Sequence, residues 1–211
     1  MPVTLAANAL TTVEQVKSLT GLTGDDQIKF RINAASDLIE RLTGRSFGIA
    51  EITAEQHQGR GRPELILNRF PITELDEIRE DGEAVDEDDY IVNAESGIVT
   101  KNNGYWPWAP GYHQDLTNDP DSSQAEFNIE ADYTAGYVLP KDEAGAVVRS
   151  LPYYLELACI ELVQWFADRS IGIKSEHIGN YSYEVDSATL QGGIPSGIMA
   201  VIDRYKVAVL A

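Results

Sequence analysis

Asp37-Leu38-Ile39-Glu40-Arg41-Leu42-Thr43-Gly44-Arg45-Ser46-Phe47 decides how this chain is read, because one periodicity stops here and another begins. Upstream, Ile28, Ile32, Ala35, Ile39 and Leu42 recur at spacings of three and four, which lays them along one stripe of a helix over Asp25–Thr43. Asp25 and Asp26 suit the positive end of that helix, and Gly44 ends it. For about ninety residues downstream the sequence is strand-like and rich in turns. Helical pattern returns after Asp132-Tyr133-Thr134-Ala135-Gly136-Tyr137 and runs to the C-terminus. The expected fold is α+β: a mainly helical bundle, residues 1–48 and 139–211, with an inserted antiparallel β subdomain, residues 49–138.

Working outward, Thr12-Val13-Glu14-Gln15 has the form of a capping box that opens a short helix, with Val13, Val16 and Leu19 on one face and Gly21 as its breaker. Inside the insert, Leu65-Ile66-Leu67 reads as a strand, with Pro71-Ile72 leading into a turn. Asp81-Gly82 and Ser96-Gly97 are hairpin signals beside Tyr90-Ile91-Val92 and Ile98-Val99. Phe127, Ile129, Ala131 and Tyr133 alternate with polar residues, the period of a half-buried strand. Gly104 to Ser123 reads as a long loop. Leu151 to Asp168 is apolar on most faces and is expected at the buried centre of the bundle. After a polar stretch, Pro195 opens a last helix whose Ile198, Val201, Ile202, Tyr205 and Val209 share one side.

The charge excludes more than it assigns. The 211 residues carry 34 acidic against 16 basic side chains, a formal net charge of −18, and 43% are hydrophobic. A protein that grips duplex DNA or an anionic membrane needs lysines and arginines to displace counterions, so no membrane partner is expected and no specific hold on nucleic acid. A single cysteine, Cys159, staples nothing, and no secretory leader or membrane span is visible, so a cytosolic soluble protein is expected.

No pattern points to bond-making chemistry, so an enzyme, a cofactor and a metal are not expected. His57, His113 and His177 lie in separate segments without ligand spacing. Cys159 sits between apolar neighbours, the setting of an inert thiol. Gly59-Arg60-Gly61-Arg62 lacks the lysine and following helix of a phosphate loop and fits a tight hairpin connection. Glu74 to Asp89 holds ten carboxylates against Arg79 alone. This run, with Asp86-Glu87-Asp88-Asp89 at its end, is read as a solvated acidic hairpin, as a wall facing a DNA passage, or as a hard-cation site of a metal-dependent hydrolase, although the calcium-loop register is absent. Tyr105, Trp106 and Trp108 are either packing over the sheet or a subunit interface.

The order of segments resembles the head–tail connector (adaptor) proteins of tailed bacteriophages and related phage-like particles. The resemblance runs over nearly the whole chain from Thr11. It is carried by Asp37 to Phe47, Leu65 to Ile72, Tyr133-Thr134-Ala135-Gly136-Tyr137-Val138-Leu139-Pro140, Lys174 to Tyr183, and the last helix with Asp203-Arg204-Tyr205. It implies a structural adaptor in the virion neck, assembled in the host cytoplasm as a ring of copies of itself, typically a dodecamer. The ring would dock under the portal protein and meet a tail or stopper/tail-terminator protein on its other side. Double-stranded DNA would pass through without specific binding. The stripe Ile198, Val201, Ile202, Tyr205 and Val209 is then the portal-binding candidate, and Asp86, Glu87, Asp88 and Asp89 the channel-lining candidates. Another neck or tail-completion protein is the nearest alternative. The charge suits a conduit, since carboxylates repel a duplex within about one Debye length, roughly 8 Å at physiological salt.

Overall fold

A computed structural model describes residues 2–109, 127–168, 175–178, 181–184, 190–191 and 193–206. The chain divides into two compact units, residues 1–48 with 138–211 and residues 49–137. The first unit is helical at its centre. Helix α1, Val13–Thr20, starts where the Thr12 side chain accepts from the Gln15 amide at 3.2 Å and stops at left-handed Gly21. Helix α2, Asp25–Thr43, buries Ile28, Ile32, Ala35 and Ile39 and stops at Gly44, whose amide donates to the Glu40 carbonyl at 2.9 Å. Helix α3, Tyr153–Asp168, packs on both and buries Leu155, Ala158, Cys159, Leu162 and Val163.

Polar groups fix how these helices meet. The Ser36 hydroxyl accepts from the Leu10 amide at 3.0 Å and lies 3.7 Å from Cys159 Sγ. Burial pushes the Cys159 thiol up to about 12, and the Ser36 bond only partly offsets this. Glu156, buried on α3, accepts from Thr11 Oγ1 at 3.0 Å and pairs with Arg149, which also donates to the Leu151 carbonyl at 2.9 Å. A carboxylate buried without such partners would be strongly destabilising.

The second unit is all β. Strands β1 (Ala50–His57), β7 (Ile129–Ala135), β3 (Ile72–Glu80) and β4 (Glu83–Ala84) form an antiparallel sheet in the order β1-β7-β3-β4. Strands β2 (Glu64–Ile66), β6 (Ile98–Lys101) and β5 (Tyr90–Asn93) form a second, in the order β2-β6-β5. The central strand β7 buries Ile129, Ala131, Tyr133 and Ala135 in strict alternation, which is what a strand with one face on a core requires. These side chains cluster with Leu65, Leu67, Ile72, Ile78, Tyr90, Val99 and Trp106. Four short strands belong to the first unit: Ser175–Ile178 (β8) pairs with Tyr181–Glu184 (β9), and Leu190–Gln191 (β10) with Ile194–Pro195 (β11).

The expectation of a mainly helical bundle is therefore corrected. Among the described residues, strands hold about as many residues as α-helices, so the fold is a sheet-rich α+β fold. Three physical causes account for the error. Strand β3 runs nine residues, Ile-Thr-Glu-Leu-Asp-Glu-Ile-Arg-Glu, with register shifts against β7 that break its alternation, so the sequence shows an acidic hairpin there but not how long its first strand runs. The polar stretch before Pro195 holds β8 to β10. The last helix, α4 (Ser196–Ile202), is only seven residues long and passes into a 3-10 turn at Asp203–Tyr205.

Candidate functional site

The acidic turn is a built feature of the second unit. Asp81-Gly82 closes the β3–β4 hairpin, and Asp86 starts a 3-10 turn over Glu87–Asp89 by accepting from the Asp88 amide at 3.0 Å. Asn102 clamps the far end: its amide donates to the Asp89 carbonyl at 2.8 Å and its side chain to the Asp88 carbonyl at 2.7 Å. The backbone is thus pinned while Asp86, Glu87, Asp88 and Asp89 stay exposed. An open cleft of about 390 Å³ lies beside them, with Asp76, Glu77 and Tyr90 in its wall. Burial, helped by the charges of Glu87 and Asp86, raises the Tyr90 phenol. Among the described residues no group of three or more His, Cys, Asp or Glu side chains is placed to hold a metal ion.

The aromatic segment is held by the Gly59–Arg62 connection. The Trp106 amide donates to the Arg62 carbonyl and the Ala109 amide to the Gly59 carbonyl, both at 2.9 Å. Asn128 ties the two together, accepting from the Gly59 amide at 2.8 Å and donating to the Pro107 carbonyl at 3.3 Å. Gly59-Arg60-Gly61-Arg62 is not the hairpin its composition suggests, because β1 and β2 lie in different sheets and the segment crosses between them. Trp106 is buried in the core, with Lys101 Nζ 4.6 Å above its ring, whereas Tyr105 and Trp108 are 65% and 42% exposed. The three residues named together in the sequence therefore divide into one core anchor and two surface rings.

At the end of the first unit, Ile198 and Ile202 are buried against α2 and α3, while Val201 and Tyr205 are half-buried. Val209 lies outside the described residues. Tyr205 meets the edge of Phe47 at 6.3 Å, and Arg45 donates to the Tyr205 carbonyl at 3.3 Å. Gly44-Arg45-Ser46-Phe47 and Asp203-Arg204-Tyr205, distant in sequence, thus form one contact.

Two sets of residues had no sequence signal. Glu55 accepts from His57 at 2.7 Å, from Tyr133 at 2.8 Å and from the Asn68 amide at 3.0 Å. Burial alone would raise its carboxyl, but these hydrogen bonds outweigh it and hold Glu55 below the usual range. Arg79 binds Glu77, Glu130 and Asp132; the bond from Arg79, and then the one that the Ala54 amide donates to Asp132, lower the Asp132 carboxyl. On α3, Tyr153, Tyr154 and Leu157 are exposed, so this helix is not buried all round as its composition suggests. No helix among the described residues is long and apolar enough to cross a membrane.

Ser36, Thr11 and Glu156 are thus spent on structural bonds, while acidic and aromatic side chains are left at the surface. The chain belongs to the head completion protein family, whose model matches residues 9–208. That match bears out the resemblance drawn from the ordered segments. The fold is similar to a chain from the neck of an empty GTA particle computed with C6 symmetry, at TM-score 0.54 and 17% identity, covering 100% of this chain and 96% of that one. It is also similar to a chain from the neck of a native GTA particle computed with C12 symmetry, at TM-score 0.50 and 16% identity with the same coverage. No curated protein matches the chain.

Proposed function

We propose that this head completion protein is a structural adaptor that assembles as a ring in the virion neck, between the capsid portal and the tail, and extends the DNA channel. The observation that carries this reading is the family match over residues 9–208. Two features support it further. The fold is shared with chains of GTA necks treated with C6 and C12 symmetry, which suits a ring of twelve copies. The net charge of −18 suits a passage that must not hold its cargo, and the pinned, exposed turn Asp86 to Asp89 is the part we assign to its wall.

In this reading the C-terminal segment meets the portal. Ile198 and Ile202 anchor α4 on its own unit, and Val201, Tyr205 and the residues beyond present the contact. A chain ending at Lys206 should keep its fold, read by circular dichroism, and lose co-sedimentation with portal rings. Unchanged docking would refute the role given to this segment. The ring itself is tested by electron microscopy of portal mixed with the chain: added density below the portal is expected, and its absence would count against the adaptor reading.

A further inference from the structure

The second unit carries two exposed arginines that no ion pair neutralises among the described residues. Of its cations, Arg79 binds three carboxylates, Lys101 binds Glu80, and Arg69 lies by Tyr133. Arg60 and Arg62 are exposed, and no ion pair holds either among the described residues. They are also rigidly displayed. A Cβ on Gly59 would stand 1.8 Å from the Pro107 carbonyl oxygen, and one on Gly61, whose φ is +60°, would stand 2.3 Å from Trp108 Nε1. The connection is therefore pressed against the aromatic segment, and exposed Tyr105 borders it.

Topology sets these cations opposite the acidic turn. In the sheet β2-β6-β5, Arg62 and Pro63 lead into the β2 edge and Asp89 leads into the β5 edge, at the same end of β6. The Lys101 amide donates to the Pro63 carbonyl at 2.9 Å and the Asn102 amide to the Asp89 carbonyl at 2.8 Å, fixing both to that end. Two strand spacings, about 10 Å, separate a basic edge from an acidic one. We infer that the arginine platform of one copy, Arg60 and Arg62 bordered by Tyr105, receives the acidic turn of the next copy at Asp88 and Asp89. The inference rests on the ring reading, because a surface with two unlike edges closes head to tail.

The occupant follows from the charge and from the passage. Bare arginines at a DNA channel would bind phosphate and slow the cargo. The most acidic exposed turn of the same unit is the complement that every ring copy supplies, and a seam between copies opens onto the lumen. Asp88 and Asp89 at the seam, with Asp86 and Glu87 toward the passage, give one turn both positions.

A charge-swap cycle tests this on the full chain. Self-association is measured by sedimentation up to millimolar concentration for wild type, Arg60→Glu with Arg62→Glu, Asp88→Lys with Asp89→Lys, and all four together, each checked for fold by circular dichroism. Each reversed pair should weaken association about tenfold or more, and the fourfold variant should regain most of it. The milder Arg60→Gln with Arg62→Gln should fall between. A ring indifferent to either reversal overturns the pairing and leaves the ring reading standing. Loss without regain in the fourfold variant also overturns it. So does an arginine reversal that abolishes retention on duplex DNA while association is unchanged, which assigns the platform to nucleic acid. A wild-type chain that never associates, alone or with portal, overturns the ring reading together with the pairing.

Discussion

Arg79 shows how single residues carry the second unit. Its guanidinium lies between Glu77, Glu130 and Asp132, so removing it leaves three carboxylates facing one another. Arg79→Met should therefore lower stability more at pH 7 than at pH 3, where protonation relieves the repulsion; equal losses in urea titrations at the two pH values would contradict this. The wild type follows the same sign. Asp132 and Glu55 are held below their ordinary values of 3.8 and 4.5, so their contribution is present above those values and lost as pH falls through the folded ones. In the first unit, Arg149→Met strands the buried Glu156 with Thr11 alone, and about 3–5 kcal/mol should be lost in denaturant unfolding. None of these bonds was legible, because a carboxylate that accepts inside a fold has the same letter as one in water. Cys159 was legible as an inert thiol, since its apolar neighbours at helical spacing already implied burial.

Elements were legible where pattern and local chemistry agreed. Thr12, Gly21 and Gly44 cap α1 and α2 as their types require, and β7 alternates without a fault. Strand β3 was legible as one arm of an acidic hairpin but not at its full length, because its register shifts against β7 break the alternation between Ile72 and Glu77. The last helix was read too long because a stripe says which side is apolar and not where the hydrogen-bond ladder ends. A helix of seven residues has no stability of its own in water and is held by packing. Ile202→Ala, at a fully buried position, should accordingly cost about 2–5 kcal/mol in the unfolding transition. A change below about 0.5 kcal/mol, the scale of surface substitutions, would mean that α4 docks elsewhere.

For the whole molecule the decisive quantity is charge, and it was legible from composition: a surface of this sign is suited to stand near DNA without holding it. What composition could not give is that the carboxylates are arranged, pinned by Asn102 at one sheet edge with Arg60 and Arg62 at the other. The acidic cleft gives a simple check against metal chemistry. Millimolar calcium, magnesium or manganese should leave the melting temperature unchanged, because only an ion bound at a site stabilises the folded state by mass action. A cation-specific rise of several degrees would reopen the hydrolase alternative. The most direct measurement is a cryo-microscopy map of the neck in particles assembled with this chain. A closed ring of density fitting both units, directly under the portal and coaxial with the DNA, is the expected result. A neck complete without such density would contradict it.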